Sequence, residues 1–198
     1  QYMYTQNFDA LLINLVTPSS AASVLNETAN HDIPVILFNR EADKKDLSIS
    51  KQTWYVGTAA KKAGAIQADM LQNVWNTGKI NLDRNKNNKL DYILIEGEQT
   101  HFDAVRRTNG FLESSQNLPL NQLTNLSADW QRDLASMKFS KLDTSIIQSA
   151  EDIICNNDDM ALGVYDYYKQ HNLKLPLILG INNSPETVSY THLRAPRP

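Results

Sequence analysis

One cysteine in 198 residues rules out a disulfide within the chain, so no cross-link substitutes for a hydrophobic core. That residue, Cys155, sits in the run Ile153-Ile154-Cys155 and reads as a buried structural thiol. Long apolar runs are also missing: Ile33-Pro34-Val35-Ile36-Leu37-Phe38 is among the longest, far short of the ~20 residues that cross a bilayer as a helix. Positive charge is not in excess. The 19 Lys and Arg are outnumbered by 22 Asp and Glu, for a net charge of -3, and the two signs are interspersed. No basic face is available to neutralise phosphates, which argues against nucleic acid as a partner. The residues Gln1-Tyr2-Met3-Tyr4 show no charged segment followed by an apolar one, so an export signal is either cleaved or lies outside these residues. Catalytic signatures are absent too: Gly-x-Ser-x-Gly, His-Glu-x-x-His, Gly-x-x-x-x-Gly-Lys and Gly-x-Gly-x-x-Gly do not occur. His31, His171 and His192 stand in contexts that suggest no chemistry. The expectation is a protein that is not an enzyme.

What is present is the composition of an ordinary globular chain, 41% hydrophobic and 21% charged, arranged in a rhythm. Apolar runs of strand length (Ala10 to Val16, Pro34 to Phe38, Trp54 to Gly57, Tyr92 to Gly97, Asp152 to Cys155, Leu175 to Gly180) alternate with helical stretches. The helices are expected from Ser19 to Asn30, Lys61 to Asn76, near Phe102, Asp129 to Met137, and Asp158 to Gln170. Near-continuous apolar strands separated by helices predict an α/β class with doubly wound parallel sheets. The break after the short run at Trp54 suggests two lobes, residues 1–57 and 58–188. Residues 189–198 interrupt the rhythm and read as a non-native tail.

Two constellations carry chemistry. Asp83-Arg84-Asn85-Lys86-Asn87-Asn88-Lys89-Leu90-Asp91 places oxygen-bearing side chains at positions 1, 3, 5 and 9 of an EF-hand-like calcium loop, with the carbonyl of Lys89 at position 7. Asn88 occupies the position where the chain turns sharply, and Asn tolerates a left-handed backbone better than other side-chain-bearing residues. Leu94 stands at position 12 where a bidentate acid is usual, so either a remote carboxylate closes the cage or the segment is a solvated polar turn. The second constellation follows a strand: His101 and Asp103, with Arg107 one helical turn later on the face of Asp103. An ordinary surface ion pair has the same spacing. Asn39, Asn157 and Asn182 also follow strands and serve equally as helix caps or as groups that both donate and accept. Repetition of such groups at strand ends suits a sugar, with Trp130 available to face a ring or to fill the core.

Together these segments resemble the periplasmic galactose/glucose-binding proteins, a branch of the type I periplasmic binding protein fold. The resemblance runs from about Phe8 to Pro185 and is carried by residues 10–16 with Pro18, Phe38-Asn39-Arg40-Glu41, Tyr55-Val56-Gly57-Thr58, the polar loop, Gly97-Glu98 with His101, Asp103 and Arg107, and Asn156-Asn157-Asp158 with Met160-Ala161. It implies the hexose-binding subunit of an ABC importer, with two lobes closing over the sugar. Asn39, His101, Asp103, Arg107, Asn157 and Asn182 would hydrogen-bond a galactose or glucose, and Trp130 would stack on it. It further implies calcium held by Asp83, Asn85, Asn87, Lys89, Asp91 and Glu151, the last answering the missing acid at position 12. The implied partners are a membrane permease and, for some members, a chemoreceptor. The implied state is a monomer, either periplasmic or lipid-anchored. Asn182 departs from the Asp usual in the family, and the family's first strand would lie before Tyr4, so the chain is expected to be an internal portion with an incomplete first lobe. The effector-binding core of a LacI-type repressor shares the fold and is the competing expectation; the calcium loop favours transport.

Overall fold

A computed structural model describes residues 3, 6 and 8–189. It divides into two compact units, residues 1–59 with 100–103, and residues 60–99 with 104–198.

The first unit holds β1 (Leu11–Ile13), α1 (Ala21–Asn30), β2 (Val35–Phe38), α2 (Lys44–Leu47) and β3 (Thr53–Val56), with its strands parallel in the order β1-β2-β3. Pro18–Ser20 forms one 3-10 turn that delivers the chain into α1. Alternate strand residues Val35, Leu37 and Tyr55 pack with Ala21 and Leu25 of α1 and with Ala42, because successive side chains of a strand point to opposite faces. The expected first strand shrinks from seven residues to the three of β1.

The second unit begins with the long helix α3 (Ala60–Thr77) and alternates thereafter: β4 (Leu90–Glu96), α4 (Phe102–Ser114), β5 (Leu120–Ser127), α5 (Arg132–Phe139), α6 (Thr144–Ser149), β6 (Asp152–Cys155), α7 (Asp158–Gln170), β7 (Leu177–Leu179) and α8 (Pro185–Ser189). Phe102 and Asp103, the first residues of α4, belong to the first unit. All four strands are parallel in the order β5-β4-β6-β7. Strand parity sorts the core into two layers. Ile93, Ile95, Ile153, Cys155 and Ile178 pack with Ala135, Phe139, Ile147 and Met160 of the helices on one face. Tyr92, Leu94, Ile154 and Leu179 pack with Ala68, Leu71 and Phe111 of α3 and α4 on the other.

Strand β5 is the element the sequence pattern hides. Five of its eight residues, Leu-Asn-Gln-Leu-Thr-Asn-Leu-Ser, are polar because it lies at the sheet edge, and its register against β4 slips between Tyr92 and Ile93. The helix expected from Asp129 starts later, at Arg132, since Asp129 and Trp130 take left-handed φ values of 48 and 69°. Of the segment expected to be foreign, Ser189 closes α8 and residues 190–198 lie outside the described residues. No helix among the described residues is long and apolar enough to cross a membrane.

Candidate functional site

In the first unit, β2 ends at Phe38 and the next residue, Asn39, turns into the left-handed region at φ 62°, a conformation for which Asn carries a small penalty. Its carbonyl accepts from the Tyr55 hydroxyl at 3.1 Å, and its Nδ2 donates to Asn14 Oδ1 at 3.5 Å. Asn39 is exposed, so its amide is presented at the carboxyl end of the strand. His101 and Asp103 are both buried. The Asp103 N–H donates to His101 Nδ1 at 3.1 Å, which makes Nδ1 an acceptor and leaves Nε2 to carry a donor proton. Thr58 Oγ1 donates to Asp103 Oδ2 at 3.0 Å and orients the carboxylate.

In the second unit, Arg107 is buried, and its Nη1 donates to the carbonyl of Asn156 at 2.6 Å and to Asn182 Oδ1 at 3.3 Å. Its guanidinium carbon stands 5.4 Å from the centroid of the Trp130 ring, within the range of a cation–π contact. The indole is fixed from behind by Gly97, where a Cβ would collide with ring atoms of Trp130. Its backbone is held as well, since Asn157 Nδ2 donates to the Trp130 carbonyl at 3.0 Å. Asn157 Oδ1 accepts the Met160 N–H at 2.9 Å and caps α7. One amide thus caps a helix and positions an aromatic ring, and what it retains for a ligand is its second N–H and second lone pair. Asn182 stands at φ 126° in the turn after β7, and Asp158 secures that turn by accepting from the Ser184 N–H at 2.6 Å and the Thr187 hydroxyl at 2.7 Å.

Three residues to which the sequence reading gave no site role organise these clusters, Thr58 in the first unit and Asn156 and Asp158 in the second. Asn156 accepts from the Gly97 N–H at 3.1 Å and donates to Thr108 Oγ1 at 3.2 Å, tying the end of β4 to α4. Asp158 fixes the turn of Asn182, and Thr58 fixes Asp103. Asn156 was visible as a second amide after β6, whereas the partners of Asp158 and Thr58 are 26 or more residues away in the chain.

The polar loop forms a third cluster, within the second unit. Asp83 accepts the N–H groups of Asn87 and Asn88, each at 3.0 Å, and Asn88 adopts φ 60° at the sharp turn. Asp91 Oδ2 accepts from Asn85 Nδ2 at 2.7 Å and from Asn87 Nδ2 at 3.3 Å, while its Oδ1 accepts from Asn121 at 2.6 Å. Lys89 is exposed, and Leu94 points into the core. Glu151, 60 residues beyond Asp91, lies against the loop, with its Oε2 accepting the Asp91 N–H at 3.1 Å and its Oε1 accepting the Asn85 N–H at 3.2 Å. Among the described residues no three acidic, imidazole or thiol groups converge closely enough to hold a metal by themselves. The donor set here is mixed, carboxylate with amide and carbonyl, which is the chemistry of a hard cation, and the amides of Asn85 and Asn87 must turn their oxygens inward to take one up.

Beside this cluster β6 carries a polar anomaly. Asp152 is fully buried, no side chain pairs with its carboxylate, and burial holds its pKa well above the usual carboxylate range against the smaller, opposing effect of the Ile153 backbone N–H. Burial likewise pushes the Cys155 thiol well up, with Asp152 and Asp158 adding to the shift.

Comparison with known proteins converges on one family. A model of the periplasmic binding protein domain matches residues 1–192. The D-galactose/methyl-galactoside binding periplasmic protein MglB of Haemophilus influenzae is 34% identical over 189 residues, covering 94% of this chain and 56% of that protein. The galactofuranose-binding protein YtfQ of Escherichia coli is 26% identical, covering 85% of this chain and 50% of that protein. The chain therefore spans about half the length of the curated relatives it matches. An ABC transporter solute binding protein from Bacillus halodurans C-125, crystallised with bound myo-inositol, superposes with a TM-score of 0.80 at 22% identity, covering 97% of this chain and 63% of that one; at that identity the likeness speaks to the fold. The α/β units with wholly parallel sheets, the polar groups at their strand ends and the match over residues 1–192 lead to one assignment: the chain belongs to the periplasmic binding protein domain family.

Proposed function

We propose that this chain is part of the substrate-binding component of an ABC-type importer for a hexose, galactose or glucose in the first instance, and that it works outside the cytoplasmic membrane without catalysing a reaction. The observation that carries the reading is the cluster of Arg107, Trp130, Asn157 and Asn182 at the carboxyl ends of the second unit's strands. It joins a planar donor fork and amides that both donate and accept to an indole face. Hexose hydroxyls need the former and the C–H face of a pyranose suits the latter. Within the first unit, Asn39, His101 and Asp103 carry amide, imidazole and carboxylate groups of the same sugar-binding chemistry. The relatives named for D-galactose, methyl-galactoside and galactofuranose support a sugar over other solutes. Asn182 in place of an acid lowers the affinity, because a neutral amide makes a weaker bond to a hydroxyl than a carboxylate does.

The same reading assigns calcium to Asp83, Asn85, Asn87, the Lys89 carbonyl, Asp91 and Glu151, where it stabilises the fold and takes no part in binding sugar. The permease is the partner of the sugar-loaded form, a chemoreceptor is a second one, and the component acts as a monomer.

Titration with D-galactose and D-glucose, followed by tryptophan fluorescence, tests the sugar reading. Saturable binding with Kd near ~1 mM, about -4 kcal/mol, is expected for the chain as it stands. Arg107→Ala and Asp103→Ala each weaken it about ten-fold, as the loss of a charge-assisted hydrogen bond does, and Arg106→Ala leaves it unchanged. Equal losses at Arg106 and Arg107 place the ligand on the wrong face of α4. For calcium, calorimetry with Glu151→Gln should show affinity reduced about ten-fold or more, and unchanged affinity removes Glu151 from the site.

A further inference from the structure

One residue holds the polar loop to strand β6 from two directions. The backbone N–H of Arg84 donates to Glu151 Oε1. The guanidinium of the same residue donates from Nη2 to the carbonyl of Ala150, directly before Glu151. Glu151 is itself built into the sheet: its N–H donates to the Asp91 carbonyl at 2.7 Å and its carbonyl accepts from the Leu177 N–H at 3.0 Å. The residue is 2% exposed, and its two carboxylate oxygens receive the N–H groups of Arg84, Asn85 and Asp91.

A positive side chain beside a candidate site for a divalent cation calls for a reason. Coulomb repulsion disfavours it, by about 1 kcal/mol per pair of unit charges at 4 Å even in bulk water. Nor is Arg84 there to meet an acid on its outer side, because it lines a cleft with Ile147, Gln148, Tyr168, Leu173 and Lys174, none of them acidic. What distinguishes it is a long, forked donor that reaches the Ala150 carbonyl while its own backbone holds the neighbouring carboxylate. We propose that Arg84 is a positioning residue: it fastens the loop to the start of β6 so that the Glu151 carboxylate is in place before any cation arrives. The consequence for cation affinity rests on the calcium reading above; the fastening itself does not. A remote acid already in position need not be ordered at the moment of binding, and that saving in entropy outweighs the repulsion.

The two effects of Arg84 have opposite signs, which makes the proposal testable. If the charge is all that matters, Arg84→Leu tightens calcium. If the fastening matters, Arg84→Leu weakens calcium about ten-fold, the worth of one well-made hydrogen bond to a charged donor, and Arg84→Lys, which keeps the charge and a donor, restores most of it. The first measurement is amide hydrogen exchange over residues 84–91 in EDTA. Exchange is expected to be slow in the unmodified chain, about ten-fold faster in Arg84→Leu, and near the original rate in Arg84→Lys. The second is calcium calorimetry on the same three proteins. Unchanged exchange in Arg84→Leu, or calcium bound equally well or better by it, overturns the proposal. A general loss of stability without fastening lowers the melting temperature equally with and without calcium and leaves the dissociation constant alone, and that result overturns it too. Absence of calcium binding by the unmodified chain, with the exchange pattern as expected, removes the calcium reading and leaves the fastening standing.

Discussion

The two sheets of this protein follow the same parallel construction and differ in how they are covered. In the second unit each of the central strands β4 and β6 is buried on both faces, one parity against α5, α6 and α7 and the other against α3 and α4. In the first unit, among the described residues, one parity is buried and the other is largely bare. Leu12, Trp54 and Val56 point the other way and are 68, 52 and 61% exposed, and Phe38 joins them on the same parity. Parallel sheets are normally covered on both faces, so a bare apolar face on one marks a surface that further protein is suited to cover. The polar clusters with the most hydrogen bonds, around Asp91 and Glu151 and around Arg107, go with the sheet that has two covers.

The largest effect that bears on this contrast is a core deletion. Ile153→Ala removes a fully buried side chain of the central strand β6, packed in the layer under α5, α6 and α7, and is expected to cost ~2–5 kcal/mol in urea unfolding. Leu37→Ala, equally buried in the first unit, is expected to cost at least ~1 kcal/mol less, because a sheet with one open face relaxes around a cavity more easily. Equal losses break the contrast. Next comes Asp152→Val, which replaces a buried carboxyl, paired with no side chain, by a group of similar size and is expected to raise the stability of the second unit by ~1–3 kcal/mol. A loss of stability would show that the carboxyl has a role in the fold.

The bare face gives a prediction of its own. Sedimentation velocity should show the unmodified chain self-associating, and the double variant Leu12→Lys/Trp54→Lys should weaken that association roughly ten-fold or more by removing apolar surface from the contact. Identical sedimentation of the two proteins means that the face does not mediate contact. The smallest effect is at Cys155. With the thiol fully buried and its pKa pushed well up, iodoacetamide at neutral pH should leave the folded chain unmodified over hours and label it within minutes in urea.

The site was legible where chemistry is local in sequence. The alternation of oxygen donors from Asp83 to Asp91 announces itself because a tight loop turns every second side chain the same way, and the structure places Asn88 at φ 60° where that turn is sharpest. The spacing from Asp103 to Arg107 is one helical turn, so it too reads directly from the chain. Harder to see was which polar residues hold others in place. Asn157 reads as a ligand or a cap with equal force, and only its bonds to Met160 and to the Trp130 carbonyl show it capping a helix while orienting a ring. Strand β5 escaped notice because an edge strand carries Asn, Gln and Thr among its leucines, with no continuous apolar run.

The sequence by itself determined the α/β class, the parallel strands and the places where polar groups follow them, since these depend on periodicity and on residues a few positions apart. Tertiary structure alone decided that Glu151 lies against a loop 60 residues earlier, that Arg84 grips the residue before it, and that one sheet is covered twice and the other once. Those outcomes depend on strand order, β5-β4-β6-β7 in the larger sheet, which brings the start of β6 beside the start of β4. Strand order is settled by how whole faces pack, and the local pattern of the chain does not contain it.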